Sequence, residues 1–316
     1  MKLLVTGGAG FIGSHFVLRH IANHPRDTMV VLDKLTYAAD QSFLDPVKAA
    51  ITFVEGDIAD QKLVSSLIDT HGIDTIVNFA AESHVDNSIN DATPFLHTNI
   101  IGTQALIEVL KVRPGVRMLH ISTDEVYGDI TDEDAPRKVE DPLWPSSPYS
   151  ASKAGAEMLV FAAIRTFKLP IAVSRCTNNY GPHQASEKFI PTVIRHALKD
   201  QPIPVYGEGK NKRDWIFVTD HCDALETILR TDWATQEGHV FNVGIDREWE
   251  NIVVAKMILD ILGKPHSLIS FVKDRPGHDW RYAVDSSRTR ALGWKPTVMF
   301  EEGLRQTVEW YSQSLR

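Results

Sequence analysis

The run Leu3-Leu4-Val5 ends in Gly7-Gly8-Ala9-Gly10, and from Phe11 to Ile21 the apolar residues fall at helical spacing. Gly7-x-x-Gly10-x-x-Gly13 therefore occupies the turn between a strand and the helix that it opens. That arrangement lets backbone approach a pyrophosphate and sets the anion on a helix N-terminus. With 19 glycines in 316 residues, such a triplet also arises in ordinary strand-to-helix turns, so a second feature has to decide. Asp33 stands twenty positions after Gly13, at the end of the apolar strand Met29-Val30-Val31-Leu32. A carboxylate there accepts hydrogen bonds from ribose hydroxyls and repels a 2′-phosphate, which favours NAD over NADP. Asp57, just after the third strand, is placed to meet the adenine edge.

Further apolar strands are predicted at 51–54, 75–79, 116–121 and 171–173, with helical stretches at 60–71, 95–112 and 148–168 between them. Strands that are apolar throughout and alternate with helices predict an α/β fold, a Rossmann-type doubly wound parallel sheet covered on both faces. Beyond Arg175 the strands shorten (203–206, 240–243, 269–272), with helices near 187–199, 219–230, 250–262 and 300–314. This predicts an NAD-binding domain over 1–175 and a smaller C-terminal α/β substrate lobe over 176–316. Parts of 213–245, around Phe217-Val218 and Val240-Phe241-Asn242, are candidates to return to the main sheet.

A formal charge of −8 disfavours nucleic acid and anionic membranes as partners, so any phosphate has to be caught locally. The apolar run broken by Gly7-Gly8 is too short for a signal-peptide core or a membrane span. The two cysteines, Cys176 and Cys222, show no Cys-x-x-Cys spacing, and a reducing, cytoplasmic setting is expected. The 13 histidines, His84, His97 and His278 among them, are read as packing or hydrogen-bonding groups; with no His-x-x-x-His helix pair or His/Cys cluster read in the chain, no metal site is expected.

Tyr149 and Lys153 stand four apart, on one face of the predicted 148–168 helix, with Pro148 at its first position. A cation beside a phenol lowers its pKa and suits it to accept a proton from a sugar hydroxyl. The same spacing recurs at Tyr206 and Lys210, but Gly207 and Gly209 make that segment a turn. Thr123-Asp124-Glu125 leaves the fifth strand at its carboxyl end, the side of an open α/β sheet where ligands bind. Read alone, the acid pair is a solvated turn. Beside a dinucleotide turn and a Tyr/Lys helix it becomes a candidate for paired proton donation and acceptance.

Together these segments resemble the extended short-chain dehydrogenase/reductase superfamily, and within it the nucleoside-diphosphate-sugar 4,6-dehydratases. The resemblance runs over nearly the whole chain, through Thr6–Gly13, Asp33–Tyr37, Phe79–Asp86, Ser122–Gly128, Ser147–Lys153, Asn178–Pro182, Arg213–Trp215 and Asp274–His278. It implies an internal redox cycle on a nucleotide-linked hexose, with dTDP-glucose the expected substrate. Tyr149, helped by Lys153 and Thr123, deprotonates the C4 hydroxyl while NAD takes the hydride; Glu125 removes the C5 proton, Asp124 protonates the departing C6 hydroxyl, and the hydride returns to C6. The implied cofactor shell is Gly7, Gly10, Phe11, Ile12, Gly13, Asp33, Lys34, Leu35, Thr36, Asp57, Ile58, Phe79, Ala80, Ala81, Ser83, Thr98, Tyr149, Lys153 and Asn179. The implied substrate shell is Ser83, Thr123, Asn178, Lys188, Phe189, Pro204, Val205, Tyr206, Arg213, Asn242, Asp274, Arg275, Pro276, Gly277 and His278. The resemblance also implies a homodimer joined through the helices near 91–112 and 148–168.

Trp280 stands where the family pattern has a basic residue, which bears on the nucleotide. A UDP-glucose 4,6-dehydratase, a UDP-hexose 4-epimerase or decarboxylase using the same Tyr149 and Lys153, and an NAD-binding sensor without turnover are the competing readings. The acid pair at 124 and 125 favours the dehydratase.

Overall fold

The structure is a computed structural model that describes residues 1–232 and 239–314. Six strands, β1 (Lys2–Thr6), β2 (Thr28–Asp33), β3 (Thr52–Glu55), β4 (Thr75–Asn78), β5 (Arg117–Thr123) and β6 (Ile171–Cys176), fall where the apolar runs predict them. They are followed by β7 (Asn178–Tyr180), β8 (Ile203–Tyr206), β9 (Lys212–Phe217), β10 (Val240–Val243), β11 (Glu248–Glu250) and β12 (Ile269–Val272). The main sheet runs β10-β6-β5-β4-β1-β2-β3, parallel throughout. Its order turns back between β1 and β4, and the crevice beyond the strand ends at such a switch point is where this topology binds ligands.

Successive residues of a strand point to opposite faces, so each strand feeds two cores. Leu3, Val5, Val31 and Leu119 pack with Phe16, Val17, Leu225 and Ile228 on one face. Leu4, Val30, Leu32 and Met118 pack with Val64, Leu67, Leu106 and Val160 on the other. A third core, with Tyr180, Ile190, Trp215, Val254 and Phe300 fully or nearly buried, holds the lobe together.

The two segments expected to return to the sheet part company. Val240–Val243 joins it as β10, parallel to β6. Phe217 instead ends β9, which pairs with β7 and β11 in a separate sheet, and Val218 opens a helix, Val218–Leu229, packed against the first helix, Phe11–Asn23. The helical stretch at 95–112 also differs from expectation: Leu96–Gly102 is wound as a π-helix before the α-helix Thr103–Lys111. Asn99 there is buried, exchanges hydrogen bonds with the Glu82 backbone and donates to Ser152, while Gly102 abuts Ile58 so closely that a Cβ would lie 2.5 Å from it. The wider turn fits these contacts, in keeping with π-turns at functional sites.

One histidine pair corrects the sequence reading. His20 and His24 stand one turn apart near the end of the first helix, and with Glu226 their ligand atoms lie within 4.8 Å of one another. His20 bonds both Glu226 and Asp27, Asp27 also holds the Met1 ammonium at 2.7 Å, and Arg230 lies 3.7 Å from Glu226. The chain's own cations therefore meet these carboxylates. Among the described residues no helix is long and apolar enough to cross a membrane.

Candidate active site

The glycine turn is closed by contact rather than by side chains. Gly7 has φ +68°, a conformation disfavoured by a side chain, and a Cβ on it would lie 2.6 Å from the Ala80 nitrogen. A Cβ on Gly13 would lie 2.2 Å from the Gly7 carbonyl oxygen. Gly10 is the N-cap of the first helix, without a side-chain cap and with no acid in the first turn, so this helix end suits an anion. Asp33 accepts from the Ala9 and Leu35 N–H groups at 2.9 and 2.8 Å, and burial raises its pKa.

A cavity of about 280 Å³ runs along the strand ends. It is lined by Gly7, Gly10, Phe11, Ile12, Gly13, Asp33, Lys34, Thr36, Asp57, Ile58, Phe79, Ala80, Ala81, Ser83, Thr98 and Asn179 on the expected cofactor side. Thr123, Asp124, Glu125, Tyr149 and Lys153 line the same cavity, so the phenol and the acid pair face one space. Leu35 is an exception: with φ +52° it packs its side chain against the core.

Two local structures place the chemistry. Tyr149 and Lys153 lie on the helix Pro148–Phe167, whose start is fixed by Pro148 and a reciprocal Ser147/Ser150 cap. The acids lie on a 3₁₀ turn, Asp124–Tyr127, capped by the Thr123 hydroxyl, which accepts from the Glu125 N–H at 3.3 Å. Thr123 donates to Asp124 at 3.2 Å, and the second Asp124 oxygen is buried with no hydrogen-bond partner among the described residues.

The acidities correct one expectation and sharpen another. Burial, then the charge of Glu125, pushes the Tyr149 phenol well above its usual range, against a hydrogen bond with Thr123 that lowers it. Lys153 does not reverse this: its ammonium donates to the Ile121 carbonyl at 2.6 Å, and burial lowers its pKa to about 8. The two acids have contrasting neighbours. Burial raises both; Glu125 and Asp214 push Asp124 further up against Arg213, whereas Lys188, Arg275 and Arg213 pull Glu125 down against Asp279. Asp124 is thus the better proton donor and Glu125 the better acceptor.

The expected substrate residues divide. Ser83, Asn178 and Lys188 line the cavity, and Lys188 donates to the Ser83 carbonyl at 2.7 Å. Arg275 and Tyr206 converge on Asp86, at 3.1 and 3.4 Å, while His278 bonds Asp274 at 2.6 Å and stands edge-on to the Tyr206 ring. Pro204 and Tyr206 are exposed on alternate positions of β8, Phe189 stacks on Trp215, and Gly277, between Pro276 and His278, has φ +63°. Arg213 spends its guanidinium on the carbonyls of Lys212, Asp279 and Trp280. Two placements are corrected. Val205 points into the lobe core, and Asn242 is fully buried, accepting from the Tyr127 hydroxyl and donating to the carbonyls of Arg137 and Asp285. Trp280 donates from its backbone to Asp129 and from its indole to Asp132.

Sequence reasoning missed Glu82, Cys176 and Gln184 in the cavity lining, and Asp86 as the anchor of Arg275. Glu82 and Asp86 sit inside the segment Phe79–Asp86, where their acidity was the available signal. Nothing local marks Gln184. Tyr206 and Lys210 do not form a second Tyr/Lys pair: Gly207 and Gly209, both at positive φ, turn the chain between them, and Lys210 pairs with Glu208.

The GDP-mannose 4,6 dehydratase family matches residues 4–307. The chain is 47% identical to the low-salt glycan biosynthesis protein Agl12 of Haloferax volcanii, over 98% of each. It is 48% identical to a dTDP-glucose 4,6-dehydratase of Mycobacterium tuberculosis, over 98% of this chain and 93% of that one. Among solved structures, DesIV, the dTDP-glucose 4,6-dehydratase of Streptomyces venezuelae with NAD and TYD bound, superposes with a TM-score of 0.93 at 43% identity, covering 99% of this chain and 97% of that chain. With the glycine turn, the Tyr/Lys helix and the acid pair around one cavity, the chain belongs to the GDP-mannose 4,6 dehydratase family.

Proposed function

We propose that this chain is an NAD-dependent hydro-lyase that converts dTDP-glucose to dTDP-4-keto-6-deoxyglucose. The observation that carries the reading is the contrast between two adjacent carboxyls, Asp124 beside other acids and Glu125 beside cations, facing the same cavity as Tyr149.

NAD fits the residues present: the close contacts of Gly7 and Gly13 shape the turn, the uncapped helix end at Gly10 would receive the pyrophosphate, and Asp33 would receive the ribose hydroxyls. When bound, NAD would supply a hydride acceptor for C4 in its oxidised form, a hydride donor for C6 in its reduced form, and, while oxidised, a positive charge among these carboxyls. Tyr149 takes the C4 hydroxyl proton; because burial and Glu125 hold its phenol protonated, the positive charge of bound oxidised NAD would be needed to ready it as a base. The resulting C4 ketone acidifies the C5 proton, which Glu125 accepts. Asp124, kept protonated by burial and the charge of Glu125, donates to the departing C6 hydroxyl. Lys188, Arg275 and Arg213 supply positive charge for the diphosphate, and Tyr206 offers a face for the base.

The exposed apolar side chains Ile89, Leu96, Ile101, Met158 and Phe167, on the helical segments 85–111 and 148–167, support a homodimer through that face. The two free, buried cysteines support a reducing, cytoplasmic setting.

Turnover of dTDP-glucose in heavy water tests the reading. The expected product is a dehydrated keto sugar with deuterium at C5. Recovery of unchanged sugar from protein with bound, competent NAD overturns it, and a product of unchanged mass inverted at C4 favours the epimerase.

A further inference from the structure

Tyr149 and Lys153 are the first two members of a buried stripe at i, i+4 and i+8, and the third is Glu157, fully buried. Glu157 does not reach the cavity. Its carboxylate receives the fork of Arg175, from β6: Nε to both oxygens at 3.2 and 3.0 Å, and Nη2 to Oε2 at 2.6 Å. Arg175 is itself 2% exposed, and its remaining terminal nitrogen donates to the Tyr127 phenol oxygen at 2.6 Å and to the Val139 carbonyl at 3.3 Å. Tyr127 passes the chain on, donating to Asn242 at 2.8 Å, and the Asn242 amide donates to Arg137 and Asp285.

Tyr127 is the last residue of the 3₁₀ turn that carries Asp124 and Glu125. The network therefore joins the helix bearing the base to the turn bearing the acid pair, through a guanidinium that each side needs for its own charge or hydroxyl. A buried charge pair is costly to assemble, and removing one member leaves the other unpaired. A fully satisfied network of this kind holds one geometry rather than several. Arg175 also packs its guanidinium 4.6 Å from the Tyr127 ring centre, and the Val126 carbonyl accepts from the Trp144 N–H at 3.0 Å. The turn is thus held on two sides behind the acids.

We infer that Tyr127, Arg175 and Glu157 are positioning residues for the elimination half of the reaction: they set the Asp124/Glu125 turn against the Tyr149 helix so that both acids meet the sugar already held for oxidation. The base side has its own supports, the Ser147/Ser150 cap and the Lys153 bond to Ile121, and does not need the network to hold Tyr149 in place. Glu157 also favours the charged form of Lys153, a secondary link between the network and the oxidation step.

The inference rests on the dehydratase reading, and the experiment separates the two. Wild-type holoenzyme is first shown to convert dTDP-glucose to the keto sugar, which tests the reading. Tyr127→Phe keeps the ring and removes only the hydroxyl; Arg175→Lys keeps the charge and removes the fork. Each holoenzyme is mixed with dTDP-glucose, with reduced nicotinamide followed by absorbance near 340 nm. The expected result is a kcat lowered about tenfold or more, a KM within about threefold of wild type, and reduced nicotinamide accumulating during turnover because oxidation outpaces elimination. Wild-type kcat, or a slower reaction with no such accumulation, overturns the inference. Measuring both variants lets either one decide if the other is too unstable to assay.

Discussion

Around the glycine turn the cavity wall is backbone and small side chains, Gly7, Gly13, Ala80 and Ala81, packed so tightly that single atoms decide what fits. The second wall, made by expected substrate residues that lie outside that cavity's lining, is charge, and that charge is already paired: Arg275 with Asp86, His278 with Asp274, Arg213 with three carbonyls. The first wall is shaped before any ligand arrives. Binding a diphosphate at the second exchanges one set of ionic partners for another, so its affinity is a difference between two pairings rather than the strength of one. Substitutions should therefore act as all-or-none on the cofactor wall and as graded shifts of either sign on the sugar wall.

The largest effect is expected from Gly13→Val. Its Cβ would meet the Gly7 carbonyl at 2.2 Å, and the obstacle is backbone, which has no rotamer with which to retreat. The purified variant should carry no NAD, measured by mass analysis of the released nucleotide, and should melt below the wild type. A variant that retains NAD and full activity would mean that the turn is looser than its contacts indicate. Next is Tyr149→Phe, which should lower kcat by roughly a hundredfold to ten-thousandfold, the usual range for a positioned general base, while NAD remains bound. A stopped-flow trace should then show no reduced nicotinamide, in contrast to a Tyr127→Phe trace.

On the sugar wall the signs should diverge. Arg275→Gln removes a charge from the expected diphosphate site, and its KM for dTDP-glucose should rise roughly tenfold or more, the scale of a hydrogen bond to a charged group. Asp86→Asn removes the group that holds Arg275 and the Tyr206 hydroxyl in the free protein. Its KM should fall severalfold, with kcat little changed. If both substitutions raise KM, Asp86 is a binding residue for the substrate rather than a competitor with it.

The same division explains what the sequence discloses. Gly7-x-x-Gly10-x-x-Gly13 and Asp33 are legible because their roles follow from a strand, a turn and a helix adjacent in the chain. The Tyr149/Lys153 face is legible for the same reason. Val205 shows a signal that alternation already contains: with Pro204 and Tyr206 exposed on β8, the residue between them has to face the core. The pair His20 and His24 is likewise visible in the letters alone. Arg175 and Glu157 are not: they lie 18 residues apart on a strand and a helix, and only the packing of that helix on the sheet brings them together. Asn242 is implied by the family resemblance alone, which carries over a position in the chain but not which way its amide points.

The smallest expected effect concerns Asp214, whose charge bears on Asp124 but whose contacts belong to the fold. It is almost fully buried in β9, accepts from the Ile245 and Asp246 N–H groups at 2.9 and 3.1 Å, and has its pKa raised to about 8, chiefly by burial. The unfolded chain releases this proton near the ordinary aspartate value of 3.8 while the folded chain keeps it up to about 8, so between those limits the folded state binds more protons. Stability contributed by this group is therefore fully present below about pH 4 and falls as pH rises towards 8, with a slope of at most about 1.4 kcal/mol per pH unit. Asp214→Asn keeps an oxygen to accept from the two N–H groups and removes the titration. Urea unfolding at pH 5 and pH 8 should show the variant losing less stability than the wild type over that interval. Equal losses would mean that Asp214 stays ionised in the fold, and its negative charge would then stand beside Asp124 across the whole working range, strengthening the hold of Asp124 on its proton.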